Sequence, residues 1–196
     1  MSILDDVFQP MLGKPCWQVE QGYASFLTFE FGEPHLRIQE PRKASKQVSE
    51  KLRKRWARRH VFVYGEWHLW VYICDWRIFL NDEEIANNTS SRKIIKNALL
   101  EIDGQLLTSV AIKKSHVSIF EFDLGGRLEI IPNHVDYKKT VDLWLLYEPS
   151  GNVFTLRADG KYRHRPGDGS VKDKWETLEI PKSRTAVKKQ KNTKLK

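Results

Sequence analysis

Cysteine is scarce in this 196-residue chain, which contains only Cys16 and Cys74. Two thiols provide no disulfide framework, and they lack the spacing of paired zinc ligands. The six histidines pair neither with one another nor with cysteine at metal-ligand spacing. His134-Val135-Asp136 supplies two potential ligands without a visible third. We therefore predict no metal site and expect a reducing, cytoplasmic setting.

Long apolar runs are also missing. The longest extends from Leu69 to Cys74, whereas a membrane-spanning helix needs about 20 apolar residues. The segment from Met1 to Pro10 carries Asp5 and Asp6 and no basic residue, unlike a secretory signal peptide. The sequence therefore predicts a cytoplasmic protein without a membrane partner.

No glycine-rich loop has the form that binds phosphate groups. Gly125-Gly126 belongs to a predicted hairpin turn, and Gly167-Asp168-Gly169 does not lead into a helix pattern. We therefore predict no cofactor.

Patterns typical of catalytic residues are weak. His68 and Cys74 share a face of one predicted strand, but they lie about 20 Å apart at 3.3 Å per residue. Cys74 is therefore predicted to be a small buried side chain. Glu30 and Glu121 occupy equivalent positions in two similar segments, which invites an acid–base hypothesis. We favour outward polar residues on a half-exposed sheet, and we predict no catalytic residue.

Charge, in contrast, is abundant and unevenly distributed. The net charge is +8, but the segment 42–59 alone contains nine basic residues and one acid. Residues 182–196 contain seven basic residues and no acid. Subtracting these contributions of +8 and +7 from the total of +8 leaves −7 for the rest of the chain. The body is therefore acidic, and the cations lie in one internal segment and one C-terminal tail predicted to be disordered.

The basic internal segment has one apolar stripe. Ala44, Val48, Leu52 and Trp56 recur every four residues, which predicts a helix over about 44–59. Its cations can follow a phosphate backbone or meet an acidic protein, and its indole offers a contact face. The candidate nucleic-acid or partner-binding residues are Arg53, Lys54, Arg55, Trp56, Arg58 and Arg59.

The richest aromatic stretch, Trp67 to Phe79, contains three of the seven tryptophans. Its large residues on both faces predict a buried strand followed by its return. Other short alternating segments are separated by hairpin turn residues, as at Ala158-Asp159-Gly160. A second helix is predicted over about 90–103, with a serine cap and Gly104 closing it.

The two halves of the chain resemble each other. Phe29-Glu30-Phe31 is matched by Phe120-Glu121-Phe122, and Leu69-Trp70 by Leu143-Trp144. We predict an α+β fold, mainly antiparallel β, with two similar β-meanders produced by internal duplication. The predicted division is 1–88 for the first meander with a basic insertion at 42–59, 89–103 for a linking helix, 104–181 for the second meander, and 182–196 for the tail. Whether the meanders form one sheet or a sandwich is left open.

Four segments carry a resemblance to a known family: Gly13 to Trp17, Gly65 to Trp70, Phe120 to Gly126 and Leu146 to Gly151. They resemble segments of a bacterial family of small proteins without an assigned activity, over about residues 13–167. The resemblance implies a bacterial, intracellular protein. It supplies no catalytic or binding residue.

These observations favour a non-enzymatic protein that binds another macromolecule. An accessory or immunity-type role, in which an acidic body covers a basic toxin, is one variant. The alternative is a nucleic-acid-binding protein that uses the basic helix and the tail, and an enzyme ranks third. A protein partner is favoured over nucleic acid because motifs that read bases are absent.

Overall fold

A computed structural model describes residues 2–45, 47–133, 140–169 and 174–180. The predicted α+β class with mainly antiparallel strands is confirmed, since three short α-helices accompany strands that pair antiparallel. The predicted disordered tail, 182–196, lies outside the described residues.

Seven strands form the large sheet, in the order β1-β2-β5-β11-β12-β13-β14. Their bounds are β1 Cys16–Gln21, β2 Leu27–Phe31, β5 Trp67–Val71, β11 Asp142–Tyr147, β12 Asn152–Arg157, β13 Lys161–Pro166 and β14 Glu176–Thr177.

Five strands form the small sheet, in the order β7-β6-β10-β9-β8. Their bounds are β6 Asp75–Leu80, β7 Glu83–Asn87, β8 Leu107–Ile112, β9 Ser118–Phe122 and β10 Gly126–Ile131. A separate two-stranded ribbon consists of β3 His35–Gln39 and β4 His60–Tyr64.

The aromatic stretch from Trp67 to Phe79 connects the two sheets. Its first part is β5, which pairs with β2 and β11 in the large sheet, and its second part is β6, which pairs with β7 and β10 in the small sheet. The predicted return onto the same strand is therefore wrong. The chain leaves one sheet after Val71 and enters the other at Asp75, so that the buried side chains of both strands fill one core.

The core lies between the sheets. The Trp144 ring of the large sheet meets the Phe120 ring of the small sheet at a centroid distance of 5.9 Å. The Phe8 ring contacts both of these rings at 5.8 Å. The buried indole of Trp144 donates a hydrogen bond to the Ser118 hydroxyl across the interface, at 2.9 Å. The side chains between the two sheets therefore form one hydrophobic core.

Three α-helices and one 3₁₀ turn complete the fold: α1 Ile3–Phe8, the 3₁₀ turn Gln9–Met11, α2 Glu50–Trp56 and α3 Arg92–Ile102. The helix predicted over 90–103 is confirmed as α3, which is capped by Ser91 and buries one apolar face. The elements α1 and β7 were not predicted, because the segment of α1 is only six residues long and that of β7 has only two apolar residues, Ile85 and Ala86.

The helix predicted over 44–59 is shorter in the structure. The α2 helix begins at Glu50, because the Ser49 hydroxyl accepts a hydrogen bond from the Leu52 amide. The chain before it folds back, and the Arg42 amide donates to the Trp56 carbonyl oxygen at 2.8 Å. None of the α2 residues is buried, so no core contact extends the helix toward Ala44.

Strands from both halves contribute to both sheets. The large sheet combines β1, β2 and β5 with β11 to β14, and the small sheet combines β6 and β7 with β8 to β10. The predicted meanders are therefore interleaved in space. The duplication and the domain boundaries stay predictions.

Candidate binding surface and the cleft beside it

The segment 35–64, called the arm below, has strands that belong to neither sheet. The arm consists of the ribbon strands β3 and β4 and the segment between them that carries α2. Within the part of the chain that the structure describes, the two strands form ladder hydrogen bonds only with each other. The ribbon is therefore not hydrogen-bonded into either sheet.

One face of the ribbon, called the outer face, is aliphatic and exposed. Leu36 lies opposite Val63, and Ile38 lies opposite Val61. Their exposed fractions are 67% and 43% for the first pair, and 57% for both residues of the second pair. Four aliphatic side chains therefore form a continuous surface that neither sheet covers.

The opposite, inner face carries aromatic rings. Successive ring centroids lie 6.0 Å apart for His60 and Phe62, 6.2 Å for Phe62 and Tyr64, and 6.4 Å for Tyr64 and His35. The Arg37 guanidinium lies 5.8 Å from the centre of the Tyr64 ring. The inner face therefore combines a row of neighbouring rings with a cation.

All six residues predicted from the basic segment lie at the tip of the arm. Lys54 forms an ion pair with Glu50 at 2.8 Å, and Arg59 forms one with Glu40 at 2.9 Å. The Trp56 indole is half-buried, and the Arg42 guanidinium covers one of its faces at 4.0 Å from the ring centre. The predicted stacking face is thus partly occupied within the chain.

The other three predicted cations are exposed. The Arg53 guanidinium donates to the Val48 carbonyl oxygen at 3.3 Å. The Arg55 carbonyl oxygen lies 2.8 Å from the His60 Nε2, and the Arg58 amide donates to the same carbonyl oxygen at 3.2 Å. The tip therefore exposes several cationic side chains, and its backbone is held by local hydrogen bonds.

A cleft of about 470 Å³ lies where the inner face of the arm meets the large sheet. One wall is formed by the inner-face residues Arg37 and Tyr64, and the floor by His68 and Trp70 of β5. Tyr147 at the end of β11 and Glu148 in the turn that follows close the other side.

His68 and Glu30 form a pair at this floor. They lie directly opposite each other on β5 and β2, and the His68 Nδ1 is 2.7 Å from the Glu30 Oε1. The second oxygen of Glu30 accepts a hydrogen bond from the Gly65 amide at 2.9 Å. The Glu30 side chain is only 4% exposed. The interpretation of Glu30 as an outward surface residue is therefore wrong, because His68 and the base of the arm cover it.

Two tyrosine rings flank His68, with centroids 5.9 Å away for Tyr64 and 5.7 Å away for Tyr147. Burial raises the pKa of the Tyr147 hydroxyl above its usual range, so the hydroxyl is neutral and can donate a hydrogen bond. The site combines an oriented imidazole with aromatic walls.

Each carboxylate at the rim of the cleft lies next to a side-chain nitrogen. Lys14 Nζ forms an ion pair with Glu66 at 2.9 Å, which holds the pKa of that carboxyl below its usual range together with the Glu33 amide. The His164 Nε2 lies 2.7 Å from the Glu148 Oε1. For Arg37, no carboxylate partner is found among the described residues.

The predicted burial of Cys74 is confirmed, and Cys16 is buried as well. Burial raises the pKa of both thiols above the ordinary value, so neither is poised as a thiolate nucleophile. Among residues 2–45, 47–133, 140–169 and 174–180, no group of three or more histidine, cysteine, aspartate or glutamate side chains has the arrangement to hold a metal ion.

Comparison with protein families, with curated proteins and with solved structures finds no match for this chain. Among the helices of the described segments, none is long and apolar enough to cross a membrane.

Proposed function

We propose that this chain is a cytoplasmic, non-enzymatic protein that binds a protein partner through the arm. The observation that carries the proposal is the exposed aliphatic outer face of the ribbon, which lies next to a cationic tip. The partner is expected to have an apolar patch with an acidic rim.

The outer face has the properties of an uncovered interface. Leu36, Ile38, Val61 and Val63 are contiguous on the side of the ribbon opposite the cleft. Contiguous exposed apolar surface costs solubility, and it marks interaction sites in folded proteins. A protein partner would remove these side chains from water.

The positive charge of the arm restricts which protein partners can bind. Residues 42–59 carry nine cations and one acid, and most of these side chains are exposed. Charges around an apolar centre guide association and reject partners of like charge. The tip therefore favours an acidic rim over a basic one.

Nucleic acid is the second candidate, because the exposed cations of α2 can contact phosphates. Two features favour a protein instead. The aliphatic outer face offers nothing to a phosphate backbone, and Arg42 already covers one face of the Trp56 indole.

The test compares two leucines with matched exposure. Leu36 is 67% exposed on the outer face, and Leu124 is 68% exposed in the turn between β9 and β10. Wild type, Leu36→Lys and Leu124→Lys serve as bait in cell extract. Proteins retained by the wild type are identified and purified, and their dissociation constants are measured by calorimetry. We expect Leu36→Lys to weaken binding about tenfold or more, which corresponds to 1.4 kcal/mol, and Leu124→Lys to bind like the wild type.

Three results would overturn this proposal. The first is a purified partner that binds both variants equally. The second is retention of nucleic acid that falls steeply with salt and disappears on changing Arg55, Arg58 and Arg59 to Glu, which supports the second candidate. The third is self-association in sedimentation equilibrium that Leu36→Lys alone abolishes, which identifies a second copy as the occupant.

A further inference from the structure

We propose that the cleft between the arm and the large sheet binds a nucleotide, either free or at the end of an RNA strand. The cleft presents the His68 imidazole, a guanidinium without a carboxylate partner among the described residues, and aromatic rings, which match the ribose hydroxyl, the phosphate and the base. Its volume of about 470 Å³ lies within the range of small-molecule sites. This site is on the opposite face of the ribbon from the aliphatic surface.

The Glu30 carboxylate determines what His68 presents to the cleft. An ionised carboxylate only accepts hydrogen bonds, so the contact of 2.7 Å requires the proton to be on Nδ1. In the neutral ring Nε2 is then an acceptor. No partner for Nε2 is found among the described residues. A ribose hydroxyl is a donor of the required kind.

The burial of this pair indicates a role beyond packing. A buried carboxylate is costly unless its oxygens are hydrogen-bonded, and both Glu30 oxygens are used, one by Gly65 and one by His68. The arrangement holds one imidazole in one orientation at the floor of an open cleft. Such a supported side chain is typical of functional sites.

Arg37 supplies the contact for the phosphate. The acidic residues at the rim, Glu66 and Glu148, lie next to Lys14 and His164, respectively. Among the described residues, the Arg37 guanidinium contacts the face of the Tyr64 ring and no carboxylate, so its donors are available to a ligand. A guanidinium binds phosphate oxygens in a bidentate manner.

The aromatic walls supply contacts for the base. Tyr64 and Tyr147 flank His68, and the Trp70 indole lies on the same strand as His68. Stacking on an aromatic side chain is tolerant of base identity, because every base has a π-face. We therefore expect all four nucleotides to bind.

The first experiment titrates the full chain with AMP, adenosine and inorganic phosphate, and follows binding by calorimetry and by the ¹⁵N signals of the His68 ring. We expect AMP to bind at least tenfold more tightly than either fragment. Arg37→Ala should remove the advantage over adenosine. Arg92→Ala removes the same charge from an exposed position on α3 and should leave AMP binding unchanged.

The second experiment changes the proton position on His68. In Glu30→Gln the amide oxygen still accepts from Gly65, so its NH₂ group faces Nδ1 and moves the ring proton to Nε2. We expect the ¹⁵N shift of Nε2 to change from acceptor to donor type. A ribose hydroxyl can also accept a hydrogen bond from Nε2–H, so the preference for AMP over 2′-deoxy-AMP and 3′-deoxy-AMP should persist in Glu30→Gln. His68→Phe, which keeps a ring without Nε2, should lose this preference. It also tests the role of the ring nitrogen if Glu30→Gln fails to fold.

An oligoribonucleotide ending in a 3′-phosphate distinguishes the two sources of the ligand. If it displaces AMP at lower concentration than AMP itself, the site takes an RNA end, and otherwise it takes a free nucleotide. The proposal is overturned if AMP does not saturate the protein at millimolar concentration, or if Arg37→Ala and Arg92→Ala weaken binding equally. Leu36→Lys should leave AMP binding unchanged, so this result is independent of the protein partner.

Discussion

Gly65 allows the base of the arm to approach the large sheet closely. A Cβ atom at this position would lie 2.5 Å from the Phe31 carbonyl oxygen and 2.7 Å from the Phe31 nitrogen. These are backbone atoms, so a clash is not relieved by a side-chain rotation. The same close approach brings the Gly65 amide to the Glu30 carboxylate. One glycine therefore links the position of the arm to the orientation of His68.

We expect Gly65→Ala to lower the free energy of unfolding by about 1–3 kcal/mol, the usual cost of forcing extra volume into a packed site. Gly22→Ala is the control, because its nearest neighbour would be the Phe26 Cβ at an ordinary 3.7 Å. Urea denaturation of both variants measures the difference. Equal effects at the two glycines would contradict the close approach as the cause.

At the scale of the element, α2 and α3 have the same type of cap but different surroundings. The Ser49 and Ser91 hydroxyls each accept a hydrogen bond at 3.4 Å from the amide three residues later. The α3 helix buries Ile95, Ala98, Leu99 and Ile102, whereas α2 buries no residue. The stability of α3 is therefore coupled to the core, and that of α2 is local.

This difference predicts opposite results for two equivalent substitutions. Ser91→Ala should lower the global free energy of unfolding by about 1 kcal/mol, the usual value of a serine cap. Ser49→Ala should leave it unchanged, and should only accelerate amide hydrogen exchange within α2. Urea denaturation and hydrogen exchange measure the two effects. A global loss of stability in Ser49→Ala would show that α2 is coupled to the core after all.

At the scale of the whole molecule, an acidic body carries a basic arm. The body encloses one core between two sheets. None of the described residues from Leu36 to Val63 belongs to that core. The first and last residues of the arm, His35 and Tyr64, lie directly opposite each other as a cross-strand pair. The body is therefore expected to fold without the arm.

We expect the body to retain its structure when residues 36–63 are replaced by an Asn-Gly turn, which suits a two-residue hairpin. Circular dichroism should retain the β signal, and Tm should change by only a few degrees, roughly the effect of 1 kcal/mol or less. Binding of the protein partner should be lost. Unfolding of this variant would show that the arm supports the core.

Alternation and helix capping were sufficient to predict the class of fold and several elements. The apolar spacing of Ile95, Leu99 and Ile102 and the serine cap predicted α3, because both signals are local. The helix predicted over 44–59 was wrong in extent, because an apolar stripe that faces no core does not sustain a helix. Its cationic character was nevertheless read correctly from the residues.

The His68–Glu30 pair was not predicted. Both residues were placed on strands, but strand pairing is non-local, and neither residue type nor spacing gave the register that sets Glu30 opposite His68. The cleft, likewise, depends on where the arm lies relative to the turn after β11. Knowledge of the pairing of β2 with β5 would have revealed the site.

The sequence by itself determined the local chemistry: which segments are extended, where α3 begins, where the cations are concentrated and which stretches cannot cross a membrane as a helix. Tertiary structure alone decided that β5 and β6 belong to different sheets, that the ribbon exposes Leu36 and Val63, and that Glu30 is buried against His68. The physical reason is the sequence separation over which each interaction acts. Propensity, capping and the clustering of charge involve residues that are close together in the chain. Burial and register depend on residues that are far apart in the chain and meet only when the sheets assemble.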